Sequence, residues 1–302
     1  MGLRILVSGA GGTVGSDLLP ALKSAGHEVI RLTRGASGSS CLHWDPMRPL
    51  DAATFPTFDA VIHLAGESII GRWTASKRRR ILESRVFGTR HLAEAMARSS
   101  PPPKVFISAS AIGYYGDRGE EILTESAAQG SGFTAETCLA WEAATRTAED
   151  AGIRTVRMRI GVVLSGRGGA LAKMRLPYRL GLGGRIGSGH QWWSWIQVQD
   201  LVGAIQHTLA TGLRGPVNAV SPRPVRNAEF NRVLARALSR PAIFPMPEFV
   251  VRAAFGLMGE ELWLASQRVL PEKLVSSGYQ FQYPDLGAAI SHSLEVQKPA
   301  TD

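Results

Sequence analysis

The stretch Ile5–Leu–Val–Ser–Gly–Ala–Gly–Gly–Thr–Val–Gly15 decides the fold. Together with Leu3 and Arg4, its first residues read as a short strand, and the residues after Gly15 carry the apolar spacing of a helix to about Ala25. Gly9, Gly12 and Gly15 stand three apart between the two. A strand that runs through such a loop into a helix is the opening of a dinucleotide-binding βαβ unit. Gly9 suits the tight turn, Gly12 a close approach of backbone to pyrophosphate, and Gly15 the packing of helix on strand. Thr13 and Val14 lead into the helix, whose free N–H groups and positive dipole end face a phosphate. Pro20 is discordant, because a proline inside a helix removes a hydrogen bond and usually kinks it.

Outward from this loop, apolar runs alternate with helical patterns. Strands are expected at Glu28–Leu32, Asp59–Leu64, Lys104–Ala109 and Thr155–Ile160, with helices over about Ala75–Arg98 and Thr134–Ala151. The alternation predicts an α/β protein with a Rossmann-type, doubly wound parallel sheet. After about Gly166 the rhythm gives way to Gly-rich loops, the tryptophans Trp192, Trp193 and Trp195, and Pro-punctuated helices, one beginning near Asp200 as its N-cap. The expected division is a core over 1–165, completed by about 195–220, and a small substrate-side cap from 166–194 and 221–302.

The second strand bears on which dinucleotide is bound. An NAD site typically places Asp or Glu at its end to bind the ribose 2′-hydroxyl. Here the end reads Arg31–Leu–Thr–Arg34, with no acid. Thr33 can hydrogen-bond a 2′-phosphate and Arg34 can neutralise it through a planar fork, so NADP(H) is the expected cofactor.

Composition narrows the class. A chain of 302 residues with 44% hydrophobic and 20% charged residues can bury a full core. The charge of +9 comes from scattered basic residues, and the one dense run, Lys77–Arg80, reads as the solvated face of a helix. No nucleic-acid or membrane partner is expected. Cys41 and Cys138 make neither a disulfide framework nor a metal-ligand spacing. With no signal peptide and no apolar run of spanning length, a cytoplasmic monomer or homodimer is expected.

Gly9–Gly15, His63–Leu–Ala–Gly66 and Ser108–Ala–Ser–Ala–Ile–Gly–Tyr–Tyr–Gly116 resemble the extended short-chain dehydrogenase/reductase superfamily. Leu64–Ala–Gly–Glu–Ser68, Arg72–Trp73, Ser84–Arg85, Trp141–Glu142, the glycines up to His190 and a tail from Leu270 to Leu286 narrow the likeness. They resemble the YfcH-like family, the SDR39U1 type of epimerase family protein, with its C-terminal segment over about 248–297. The resemblance implies a bound NADP(H), with Leu64–Ala65 on the adenine-side loop. It also implies Arg85 reaching the cofactor from the long helix and Val162 near the nicotinamide. Gly66, Glu67 and Ser108 fall in the same cofactor-side segments.

One departure is decisive for mechanism. The superfamily uses a Tyr-xxx-Lys pair on a helix, and here Phe133 and Thr137 stand in those places. A phenyl ring transfers no proton and threonine supplies no cation. Ser110, with Ser108 as the alternative, matches the superfamily serine. Tyr114 and Tyr115 are substitute proton carriers, Tyr115 with packing as its competing role, and Glu67 is a further acid. His190–Trp195 reads either as an aromatic wall for substrate or as a buried seam. The expected function is an NADP(H)-binding, atypical oxidoreductase or epimerase acting on a small carbonyl or alcohol. The alternative is a non-catalytic NADPH-binding sensor.

Overall fold

The computed structural model describes residues 2–35, 38, 40–51 and 55–295. Seven strands form one parallel sheet: β1 (Arg4–Ser8), β2 (Glu28–Thr33), β3 (Cys41–His43), β4 (Ala60–His63), β5 (Val105–Ala111), β6 (Arg154–Ile160) and β7 (Gly215–Ala219). Their spatial order is β3-β2-β1-β4-β5-β6-β7. The order reverses between β1 and β4, and open α/β sheets bind ligands at the carboxyl ends beside such a reversal.

The pleat sends alternate side chains to two cores. Ile5, Val7, Ile62, Ile107, Val156 and Met158 face one side. Leu6, Val61 and Phe106 face the other. The helices over these faces are α1 (Gly15–Ser24), α2 (Ala75–Arg98), α3 (Phe133–Ala143), α4 (Arg146–Asp150), α5 (Gly169–Arg179) and α6 (Val198–Ala210). Leu18 and Leu22 of α1 join Leu201 and Ile205 of α6 in the first core, while Leu92 and Met96 of α2 close the second. Each such fully buried apolar side chain contributes about 1.5–3 kcal/mol. All four residues of β4 are buried, as a central strand covered on both faces requires.

Three local expectations change. β3, where no strand was expected, is a three-residue edge pairing beside β2. The helix expected over Thr134–Ala151 is broken at Ala144–Thr145, where the buried Thr145 hydroxyl donates back to Glu142 O at 2.7 Å. Gln197, not Asp200, caps α6, by accepting from Gln199 N–H. Asp200 instead accepts the backbone N–H groups of Gln282 (2.7 Å) and Tyr283 (2.9 Å).

The C-terminal elements share a core of their own. Leu171, Trp193, Trp195, Phe230, Leu234 and Ile290 pack together there. Short strand pairs tie them to the main sheet's connections: Trp195–Gln197 with Val162–Leu164, and Arg268–Val269 with Ile122–Leu123. No described helix is long and apolar enough to cross a membrane.

Candidate functional site

The glycine loop forms the cradle its spacing predicts. Gly9 has φ +71°, and a Cβ on it would lie 2.7 Å from the Leu64 carbonyl carbon. Any side chain there would be strained and would strike the neighbouring strand's loop. Gly15 packs on the backbone of Gly9 and Ala10. Among the described backbone hydrogen bonds, the N–H groups of residues 10–14 make one, from Gly12 to Gly9 O at 3.0 Å. Val14, the N-cap of α1, adds no side-chain bond. A loop with unused N–H groups at a helix start fits a pyrophosphate.

Beside it, the loop after β4 is held from below. Leu64 and Ala65 donate backbone N–H to Ser8 Oγ at 3.2 and 3.4 Å, and Ser8 Oγ meets His63 Nδ1 at 2.6 Å. Burial, then the charge of Arg85, pulls the His63 pKa down to about 4.

Arg34 is exposed just past β2, and Thr33 Oγ1 accepts Gly35 N–H at 3.2 Å. Glu67 lies in their electrostatic reach. It bonds Lys77 at 2.6 Å, with Arg80 at 3.9 Å. The Lys77 hydrogen bond, followed by the charges of Lys77, Arg80 and Arg34, holds Glu67 below the usual carboxylate range. Glu67 is therefore an ionised anchor and not a proton donor. Within the basic run Arg78, Arg79 and Arg80 are exposed, as expected of a solvated helix face, while Lys77 and, more loosely, Arg80 pair with Glu67.

Arg85 is a half-buried cation. Its Nη1 donates to Glu67 O (3.0 Å) and Ile81 O (3.1 Å), and the guanidinium sits 5.0 Å from the Trp141 ring. Burial lowers its pKa, partly opposed by Cys138 and Glu67.

A cleft of about 540 Å³ opens at the carboxyl edge of the sheet. Of the expected cofactor residues, Thr13, Arg85 and Val162 line it. Phe133 and Thr137 line it as well, so the two replaced positions do face this space. The Thr137 hydroxyl is buried and has no hydrogen-bond partner. Burial, then Glu142, pushes the neighbouring Cys138 thiol up to about 12.

The expected catalytic residues are placed elsewhere. Ser110 donates to Glu142 Oε1 at 2.7 Å, and Glu142 forms a buried, bidentate pair with Arg159 at 2.8 and 2.9 Å. Ser108, also buried, bonds Ala109 O at 3.3 Å. Tyr115 is fully buried, with its hydroxyl bonded to Asn218 Oδ1 (2.7 Å), Thr124 O and Arg159. Burial raises its pKa, against the pull of Arg159, so it is a poorer acid than free tyrosine. The Tyr114 ring lies under Arg159, 3.5 Å from ring centroid to guanidinium. None of the four lines the cleft. The hydroxyls of Ser110 and Tyr115 are bonded into the buried Glu142–Arg159 network, and the Tyr115 ring packs in the core. Of the tryptophans, Trp195 is buried seam, whereas Trp193 is both seam and cleft wall.

Two site features had no sequence signal. Glu261 accepts Phe133 N–H, Thr134 N–H and the Thr134 hydroxyl at 2.7–2.8 Å, across more than a hundred residues of chain. Lys173 of α5 also lines the cleft.

Residues 5–220 match the model of the NAD dependent epimerase/dehydratase family. The chain belongs to that family. Residues 246–293 match a further domain of unknown function, DUF1731. Epimerase family protein Mb2239 of Mycobacterium bovis is 40% identical over 293 residues, which cover 96% of this chain and 97% of that protein. The human epimerase family protein SDR39U1 is 39% identical over 293 residues, covering 95% and 98%. A crystal structure of human SDR39U1 (isoform 2) with NADPH superimposes with a TM-score of 0.89 at 38% identity, covering 97% of this chain and 99% of that one. The two chains thus share one fold over nearly their whole lengths.

Proposed function

We propose that this chain binds NADP(H) and acts as an atypical oxidoreductase on a small carbonyl or alcohol. The observation that carries the reading is the glycine cradle, with its unused N–H groups, opening toward a cleft at the topological reversal. The human relative described with NADPH supports the choice of cofactor.

In this reading Gly9, Gly12, Thr13, Val14 and Gly15 hold the pyrophosphate. Thr33 and Arg34 take the 2′-phosphate, with Lys77 and Arg80 adding positive potential. Leu64, Ala65, Gly66 and Glu67 form the adenine-side loop, supported by Ser8 and His63. Arg85 and Val162 stand toward the nicotinamide end, while Ser108 is buried on β5 outside the cleft lining. Residues 1–165 with about 195–220 are the cofactor core, and 166–194 with 221–302 are the substrate-side cap.

When bound, the cofactor supplies a hydride to a carbonyl carbon, or accepts one from an alcohol carbon. The chain's part is to bind, orient and exclude. Phe133 offers a ring face where a proton donor would stand, and the Cys138 thiol is too weak an acid near neutrality. Water entering by the cleft mouth therefore balances the proton on the substrate oxygen. The same residues favour a second reading, an NADPH-binding sensor without turnover.

Titration of the purified protein with NADPH and NADH tests the cofactor. NADPH is expected to bind at least about tenfold tighter, and Arg34→Ala to remove most of that margin through loss of a charge-assisted contact. Equal affinities for the two cofactors would sink the NADP(H) assignment. Turnover with a carbonyl panel then separates the two readings.

A further inference from the structure

We propose that the cleft takes a flat aromatic carbonyl compound bearing a single carboxylate, and not a nucleotide sugar. This rests on the reading of the cleft as the hydride-transfer site and adds its substrate class.

The walls present ring carbon. Trp73 and Phe133 meet edge to face at 5.0 Å, and Trp193 and Trp263 face the same space. The polar ends of these walls are turned onto protein acceptors. Trp73 Nε1 donates to Ile69 O (2.7 Å) and Trp193 Nε1 to Trp263 O (3.3 Å). Glu261, the carboxylate in the lining, is fully engaged in capping α3. A nucleotide sugar carries two phosphates, a base and a ring of hydroxyls, and needs a matching array of donors and acceptors. The other polar side chains of the lining are largely taken: Ser68 Oγ accepts Ile70 N–H (3.3 Å), Gln267 Nε2 donates to Gly116 O (3.0 Å), the Thr134 hydroxyl donates to Glu261, and Thr13 belongs to the glycine cradle, which leaves too few groups for such an array.

Away from the glycine cradle, two polar side chains of the lining make no side-chain hydrogen bond or ion pair among the described residues. The Thr137 hydroxyl is buried, unpartnered and in the lining, which suits one hydrogen bond donated to a carbonyl oxygen. The Lys173 ammonium is exposed at the cleft and makes no ion pair among the described residues, which suits one carboxylate. The other cation in the lining, Arg85, is already bonded to two carbonyls and stacked on Trp141. Apolar walls with one free donor and one free cation suit an aromatic ring that carries a carbonyl and an anion.

The test is calorimetric titration with 6-formyl-2-naphthoate, its parent 2-naphthaldehyde and UDP-glucose, on protein with and without saturating NADPH. The naphthoate is expected to bind at least about tenfold tighter than the aldehyde. Lys173→Met should erase that margin, and Lys173→Arg should keep most of it. UDP-glucose should give no binding. Tighter binding of UDP-glucose, or a naphthoate preference untouched by Lys173→Met, would overturn the proposal. NADPH titration alone reports on the cofactor reading. Should NADPH fail to bind, the NADPH-free protein still decides this proposal, because the walls and Lys173 belong to the chain itself.

Discussion

At the scale of single residues, His63 concentrates the most chemistry outside the cleft lining. It is fully buried at the end of β4, its Nδ1 against Ser8 Oγ and its Nε2 without a partner. Its pKa falls from 6.5 to about 4, chiefly because burial penalises the imidazolium. The unfolded chain therefore binds a proton at higher pH than the folded one. Stability is expected to fall as pH drops below about 6.5 and to level off near 4, by about 3 kcal/mol for this group. Urea unfolding across that window should show the slope in the wild type, and a shallower one in His63→Phe. An unchanged slope in the variant would assign the pH dependence to other groups. Because Ser8 also holds Leu64 and Ala65, NADPH affinity should hold through that window and decline only as pH approaches about 4, where the folded imidazole itself takes up a proton. Arg159 illustrates the opposite outcome: it is surrounded by Glu142 and Tyr115, and Glu142 also takes the hydroxyl of Ser110, the match to the superfamily serine.

At the scale of elements, α3 is tied to the C-terminal half by one carboxylate. Gly132 sits at its N-cap with φ +104° and no side chain, so the first N–H groups of the helix need an acceptor from elsewhere. Glu261 supplies both oxygens to Phe133 and Thr134. Removing a charged cap of this kind costs about 1–2 kcal/mol. Glu261→Ala is expected to lose that much in chemical denaturation, with Glu261→Gln intermediate because one acceptor oxygen remains. NADPH affinity should hardly move, since the cradle lies on β1 and α1. A variant as stable as wild type would show that the cap carries no weight. The bounds of α2 were readable from sequence, because one amphipathic pattern with Thr74 ahead of it defines the whole helix. The break between α3 and α4 was not, because it depends on the Thr145 hydroxyl turning back to a carbonyl.

At the scale of the molecule, the legible parts were those encoded by neighbours in sequence. The glycine spacing, the missing acid after β2 and the alternating apolar runs each act over one βαβ unit, and they suffice for the sheet and for the cradle. The cleft was legible only in fragments. Phe133, Thr137, Arg85 and Val162 could be placed by resemblance, while Ser110 and Tyr115 were turned away by partners on β6, β7 and α3 that no local pattern announces. Asp200 is the clearest example of such long-range work. Read locally it is a helix cap, yet its carboxylate receives the N–H groups of Gln282 and Tyr283, and the Tyr279 hydroxyl donates to its backbone oxygen at 2.7 Å. Burial raises its pKa, opposed by those two N–H bonds and by Tyr279. One buried side chain therefore fastens the C-terminal segment to the face of α6 that packs on the sheet. Asp200→Ala leaves the partly buried N–H groups of Gln282 and Tyr283 without their acceptor, at up to about 1–3 kcal/mol each. The expected result is loss of about 2–5 kcal/mol, together with faster hydrogen exchange at residues 279–283 than in the core strands. If exchange rises uniformly across the molecule instead, the segment is not fastened separately, and the two halves unfold as one unit.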